Sequence, residues 1–197
     1  RYNWELVYCE LYAGSKYNTN EGESYEYSLG LNGLGACATQ YASEYMDVEV
    51  FRDGYQYNLH FEKGENIGGL KKTPTNKKQT GTRTKWRPDL EVFTDIDVSA
   101  DFFRDVLKRQ AVVNRGLIFE FRNETENGFE TEEFYYENGI SDYVVELAGE
   151  NTLTTPQYWE TERRGKDRED KPEYKVKLSV AVVFSNRTKV TEYYHNS

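Results

Sequence analysis

The 197-residue chain has few cysteines, few prolines and no long apolar run, and each shortage excludes a class of protein. Its two cysteines, Cys9 and Cys37, lie far apart and lack metal-ligand spacing, so we expect a reduced cytoplasmic protein without a metal site of its own. No apolar run reaches the length of a membrane span or a signal-peptide core, which predicts no membrane partner. With 4 prolines and 15 glycines, the chain is not of low complexity.

Positive charge is also scarce, with 25 Lys and Arg against 34 Asp and Glu and a net charge of −9. This balance argues against a mainly electrostatic grip on DNA, although it leaves a local basic patch open. The hydrophobic fraction of 37% is low for a globular chain, which indicates that neighbouring segments normally supply some apolar surface. Because the chain also begins in mid-pattern at Arg1, we expect it to be an internal fragment.

Glycines are concentrated in one stretch, where Gly30, Gly33 and Gly35 precede a run of small residues typical of a helix. Glycine permits positive φ and close approach of a ligand, and a helix that begins there directs its free N–H groups at an anion. The spacing alone is equally compatible with a tight loop before a packed helix. The polar residues 13–28 form either a lid over this turn or a plain surface loop.

Hydrophobic periodicity and turn residues predict the remaining elements. In the first half we expect a helix from Gly35 to about Tyr45, followed by a hairpin of strands 47–52 and 55–61 that turns at Asp53 and Gly54. A polar connection at 64–79 would then lead to a strand at 80–89 that Pro88 ends. Residues 4–12 fit either a strand or a helix, and the lysines of the polar connection fit a solvated loop better than a nucleic-acid contact.

The second half begins with a helix at 97–114, capped by Ser99 or Asp97. We then expect a hairpin of strands 117–122 and 131–136, a short helix at 139–147 and an exposed charged loop at 149–171. Two further strands are expected at 174–185 and 188–194. Antiparallel strands with helices on one face predict an α+β sandwich rather than a dinucleotide-binding fold. The absence of G-x-x-x-x-G-K-[ST] excludes a P-loop.

Three stretches in this order resemble one family: the glycine turn 30–35, Thr80-Gly81-Thr82, and the helix end 113–117 with Asn114-Arg115-Gly116. The chain is similar, over essentially its whole length, to the ATPase region of the B subunits of bacterial DNA gyrase and topoisomerase IV, which are GHKL ATPases. The resemblance implies the C-terminal part of a GHKL α/β sandwich, with its ATP lid, at 1–124. It implies the start of a transducer domain of ribosomal S5-like fold at 125–197.

The resemblance also implies residue roles. The ATP-binding residues would be the lid residues Lys16 and Tyr25, the turn residues Gly30, Leu31, Asn32, Gly33, Leu34 and Gly35, and the adenine-proximal Thr82. Arg52 would stand at the pocket mouth, where aminocoumarin inhibitors stack. Three positions depart from the family pattern, where His, Gly and a basic residue are usual: Asn32, Leu29 and Glu26.

The family's catalytic residues do not match any position of this sequence. The water-activating glutamate, the Mg²⁺-binding asparagine and the adenine-reading aspartate would lie before the lid, and the Gln-Thr-Lys loop would follow the last residue. The resemblance therefore implies an intact ATP-hydrolysing type II topoisomerase that uses ATP and Mg²⁺, associates with DNA and with a gyrase A-type partner, and forms a homodimer of B subunits on ATP. The alternative is a nucleotide-free GHKL-fold binding or regulatory module.

Overall fold

The computed structural model describes residues 2–13, 33–78, 80–166, 168–170 and 173–195. The chain divides into two compact units, which among these residues comprise 2–13 with 33–97 and, separately, 98–195. The predicted lid at 13–28 lies outside the described residues apart from Ala13. Among the helices in the described ranges, none is long and apolar enough to cross a membrane.

The first unit is built on an antiparallel sheet. Its strands are β1 (Ser43–Arg52), β2 (Tyr55–Glu62), β3 (Glu65–Asn66), β4 (Lys71–Pro74) and β5 (Gly81–Pro88). The sheet order is β3-β2-β1-β5, and β4 also pairs with β2. Asp53 and Gly54, with φ of 52° and 76°, form the two-residue turn between β1 and β2, because both positions of this hairpin turn need positive φ. The predicted hairpin and the strand ended by Pro88 are confirmed.

One face of this sheet carries the core of the first unit. Met46 and Val48 on β1 pair with Phe61 and Leu59 on β2, and all four side chains are buried. Two helices lie in this unit, α1 (Asn3–Tyr8) and α2 (Gly35–Tyr41). From α1, Trp4 and Tyr8 place their rings 6.1 and 5.8 Å from that of Phe61. Of the two predictions for residues 4–12, the strand is therefore wrong and the end of a helix is correct as far as Tyr8, since α1 packs its partly buried aromatic side chains on the sheet.

Two boundaries of the first unit differ from the sequence prediction. Helix α2 ends at Tyr41 instead of about Tyr45, because Tyr45 pairs in the sheet with Glu62 and Arg87 and its backbone groups serve the ladder instead. The polar connection at 64–79 contains β3 and β4, since the outer edge of β2 provides hydrogen-bonding partners for both short strands.

The second unit contains helices α3 (Ala100–Val113) and α4 (Ile140–Ala148) and two hairpins. The hairpins are β6 (Phe119–Thr125) with β7 (Gly128–Phe134), and β8 (Gln157–Gly165) with β9 (Tyr174–Val182). Ser99 caps α3 by accepting a hydrogen bond from the N–H of Phe102 at 3.3 Å. The buried residues Ala111, Val112, Phe134 and Tyr136 form its core. The predictions of α3, α4 and the first hairpin are confirmed.

Two predictions in the second unit are wrong. The charged stretch 149–171 contains strand β8, because β9 pairs with it along its whole length; Glu162 also forms an ion pair across the hairpin with Lys175 at 3.0 Å. Residues 188–194 do not form a strand in the described structure. Tyr194 instead packs against the core of the second unit, and its hydroxyl donates a hydrogen bond to Glu192 at 2.6 Å.

The two compact units meet in sequence between Asp97 and Val98. The position expected for the domain boundary, after Glu124, lies inside the β6–β7 hairpin, where Glu124 pairs with Phe129. The assignment of 1–124 to the ATP-binding domain and 125–197 to the transducer domain stays a prediction.

Asp89 anchors the segment that follows β5, and its substitution is expected to destabilise the first unit. Its buried carboxylate accepts the N–H of Glu91 at 2.8 Å and lies 3.8 Å from the ammonium of Lys63. We expect Asp89→Ala to lower the free energy of unfolding by about 1–2 kcal/mol, measured by urea denaturation, because the buried acceptor of a turn hydrogen bond is lost. Glu91→Ala is the control, since it removes only an exposed pair with Lys63 and should cost about 0.5 kcal/mol or less.

His60 joins β1 to β2 on the face opposite the core, and this position makes the first unit sensitive to pH. Hydrogen bonds to Asp47 at 2.6 Å and to Glu62 at 3.1 Å raise the pKa of His60 above its ordinary 6.5. Because the folded state favours protonated His60, this group adds to the free energy of unfolding. Its contribution is complete below a pH of about 6.5 and is lost as the pH rises through the pKa of His60 in the folded state.

An NMR titration should therefore give His60 a pKa above 6.5, and Asp47→Asn should lower it more than Glu62→Gln does, because the Asp47 bond is shorter. An unchanged pKa in Asp47→Asn would contradict this account. The stability effect itself should be small, since the His60 side chain is 38% exposed.

Candidate functional site

The glycine turn leads directly into α2. Gly33 has φ of 59°, a left-handed conformation that favours glycine, Leu34 is the N-cap and Gly35 is the first helical residue. The first helical hydrogen bond runs from the N–H of Ala38 to the carbonyl of Leu34 at 2.7 Å. The N–H groups before Ala38 therefore have no acceptor within the helix and point out of its N-terminus, with the positive end of the helix dipole. This arrangement suits a phosphate group chemically.

The core side of α2 holds the turn in place. Cys37 and Gln40, three residues apart, are fully buried, and burial raises the pKa of the Cys37 thiol. Gly35 faces open space, since a Cβ added there would meet no atom within 4 Å. The helix is therefore anchored on one side while its glycine-bearing start stays accessible.

Arg52 and Thr82 lie on neighbouring strands of the first unit. Thr82 on β5 is directly opposite Val50 on β1, and Arg52 follows Val50 by two residues. Because side chains alternate along a strand, all three project from the core-bearing face of the sheet. Arg52 and Thr82 are exposed, and the guanidinium of Arg52 lies 3.4 Å from the carboxylate of Asp53. The structure thus brings two of the predicted site residues together.

Five predicted site residues, Lys16, Tyr25, Gly30, Leu31 and Asn32, lie outside the described residues, as do Glu26 and Leu29. Their roles stay predictions.

The hydrogen-bond donors among the described residues suit the phosphate groups of Mg²⁺–ATP. The start of α2 offers N–H donors of the kind that bind phosphate oxygens. Within the described ranges no group of three or more His, Cys, Asp or Glu side chains is arranged to hold a metal ion. The described residues therefore fit the phosphates of a nucleotide and do not supply a cage for Mg²⁺.

The opposite face of the sheet carries a feature that sequence reasoning missed. A depression of about 320 Å³ is lined mainly by charged and polar side chains from β1, β2, β4 and β5; these include Asp47, Glu49, Asn58, His60, Lys71, Arg83 and Lys85. Two of its acidic side chains are paired. The carboxylate of Asp47 lies 2.6 Å from Nδ1 of His60, and the carboxylate of Glu49 lies 3.9 Å from the guanidinium of Arg83. The polar alternation of residues 47, 49, 58 and 60 is the sequence signal that could have predicted this face.

Comparison with known proteins gives a consistent result. The chain is 34% identical over 149 residues to the B subunit of DNA gyrase from Synechocystis sp. and 35% identical over 144 residues to the B subunit of DNA topoisomerase 4 from Escherichia coli. It is 32% identical over 165 residues to the B subunit of DNA gyrase from Chlamydia muridarum. These matches cover 75%, 72% and 83% of the chain but only 14%, 22% and 20% of the relatives. No protein-family model matches the chain.

A solved structure agrees with the sequence matches. The crystal structure of the ATPase domain of Thermus thermophilus gyrase B in complex with an aminocoumarin matches with a TM-score of 0.59 and 30% sequence identity. The match covers 70% of this chain and 37% of that one. The predicted α+β fold of GHKL type is thereby supported, and the chain belongs to the family of gyrase B and topoisomerase IV B subunits and corresponds to part of their ATPase region.

Proposed function

We propose that the intact protein is an ATP-hydrolysing type II DNA topoisomerase, in which this chain forms part of the ATP-binding and transducer region. ATP binding and hydrolysis would drive DNA strand passage and supercoiling. The observation that carries the proposal is the similarity to both gyrase B and topoisomerase IV B across 72–83% of the chain. The partners would be DNA, a gyrase A-type subunit and a second copy of the B-type protein, in the cytoplasm.

In this proposal each described site residue has one role. The N–H groups at Gly33, Leu34 and Gly35 bind ATP phosphates, Thr82 hydrogen-bonds beside the adenine, and Arg52 lies at the pocket mouth. The exposed positions of Gly33, Gly35, Thr82 and Arg52 support these roles because a ligand can reach each of them. Bound Mg²⁺ would neutralise phosphate charge, with ligands from outside the described residues.

A nucleotide-free regulatory module of the same fold is the second candidate. It is favoured by Glu26 and Leu29, which replace a commonly basic residue and a glycine in the lid pattern. A carboxylate in the lid repels phosphate, so this candidate expects no nucleotide binding.

Ligand titrations of the intact protein distinguish the two candidates. We expect Arg52→Ala to weaken aminocoumarin binding by about tenfold, and Thr82→Ala to weaken both the aminocoumarin and a non-hydrolysable ATP analogue, because each removes a hydrogen bond or ion contact of about 1–1.5 kcal/mol. Arg83→Ala is the matched control, since Arg83 is the neighbour of Thr82 on the opposite face.

Isothermal titration calorimetry gives these affinities. Equal losses in Arg83→Ala and Arg52→Ala would refute the assigned site, and an intact wild-type protein that binds neither ligand would favour the regulatory module.

The 197-residue chain by itself is expected to have no ATPase activity. The resemblance matches no residue of this sequence to the water-activating glutamate or the lysine that reaches the γ-phosphate, and general-base catalysis alone contributes about 10²–10⁴-fold. A coupled-enzyme assay should read background, with aminocoumarin binding to the same sample as the control for folding. Robust turnover that Thr82→Ala abolishes would contradict this expectation.

A further inference from the structure

A row of four side chains crosses the core-bearing face of the first unit at the end away from the buried core. Thr82 pairs with Val50, Val50 with Tyr57, and Tyr57 with Lys72, so one residue from each of β5, β1, β2 and β4 stands in line. Directly opposite residues project from the same face. Three strand spacings of about 4.8 Å give the row a length of roughly 14 Å. The row therefore extends from the proposed adenine-proximal residue to an outer strand.

Beyond Val50 the row becomes aromatic and cationic. Tyr55 lies opposite Arg52, its ring centre is 6.2 Å from that of Tyr57, and both tyrosines are half-buried. The ammonium of Lys72 lies 3.8 Å from the ring centre of Tyr55 and 5.6 Å from that of Tyr57, which are cation–π distances. We call Tyr55, Tyr57 and Lys72 the tyrosine–lysine surface.

The charges on this face are incompletely matched. Within the part of the chain that the structure describes, no carboxylate lies within ion-pair distance of Lys72, and Arg52 pairs only with the exposed Asp53 at 3.4 Å. Such an exposed pair contributes little and opens readily to a competing anion. Two cations beside two tyrosine rings are complementary to a flat aromatic group that carries negative charge.

We propose that the tyrosine–lysine surface is a second subsite of the candidate site, and that it binds the outer part of an extended, planar aromatic ligand with an anionic group. The inference rests on the proposed function, because the inner part of the ligand would contact Thr82 and Arg52. The aromatic body lies across Val50 and Tyr57, and the anionic group pairs with Lys72. ATP does not need this surface, since its charged end binds at the start of α2.

Alternation along β4 provides the test, because Lys71 and Lys72 project from opposite faces of the same strand. Lys71 pairs with Asn58 and lines the depression on the far face. With an aminocoumarin as the probe, calorimetry on the intact protein should show that Lys72→Ala weakens binding about five- to tenfold, whereas Lys71→Ala changes it less than about twofold. Lys72→Arg should restore affinity, and a non-hydrolysable ATP analogue should bind all three variants as it binds the wild type.

The outcomes separate this inference from the proposed function. If the wild type binds the aminocoumarin and Arg52→Ala weakens it while Lys72→Ala does not, the second subsite is refuted and the proposed function stands. Equal losses in Lys72→Ala and Lys71→Ala would also refute the subsite, as would loss of ATP-analogue binding in Lys72→Ala, which would report loosening of β4. Absence of aminocoumarin binding by the intact wild-type protein would reject both.

Discussion

The two-residue turn at Asp53 and Gly54 is the constraint on which the first unit depends. Both residues adopt positive φ, and this conformation fixes the register of β1 against β2, from Arg52 opposite Tyr55 to Met46 opposite Phe61. A slip of one residue would turn every buried side chain of β1 toward water, because the side-chain period of a strand is two. Strand β5 pairs with the other edge of β1 and places Thr82 opposite Val50, so the turn positions Arg52 and long-range strand pairing positions Thr82.

On the core-bearing face of the sheet, the buried core and the candidate binding surface lie at opposite ends of β1. Near the α2 end of β1, Met46 and Val48 are covered by Phe61, Leu59 and the aromatic residues of α1. Toward the turn, Val50 is only partly buried and Arg52 is exposed. One strand therefore provides a core at one end and an accessible surface at the other. The opposite face carries the mainly polar and charged depression, where His60 links β2 to β1 through its hydrogen bond with Asp47.

In the second unit, the carboxylate of Glu146 links α4 to α3 and to Tyr136. Glu146 on α4 accepts hydrogen bonds from Lys108 on α3 at 2.6 Å and from the hydroxyl of Tyr136 at 2.7 Å. Burial opposes the charge of Glu146, but these two hydrogen bonds outweigh it and lower its pKa. Burial and the neighbouring Glu146 carboxylate raise the pKa of the Tyr136 hydroxyl, which keeps it a donor at neutral pH. The hydrogen bond to Lys108 spans 38 residues and the one to Tyr136 spans 10, so no pattern within a single element indicates either.

Local chemistry by itself determined the hairpin at Asp53-Gly54, the Ser99-capped helix and the strand ended by Pro88, because turn, cap and strand-end signals act over two to four residues. The glycine turn and the family-like order of motifs also indicated an ATP-binding relative of gyrase B. Tertiary structure decided what depends on distant partners: Tyr45 joins the sheet because Glu62 and Arg87 pair with it, and the charged stretch around Glu162 is a strand because β9 pairs with it. Only the register across four strands places Thr82, Val50, Tyr57 and Lys72 in one row, since pairing between strands is set by long-range packing that no single segment contains.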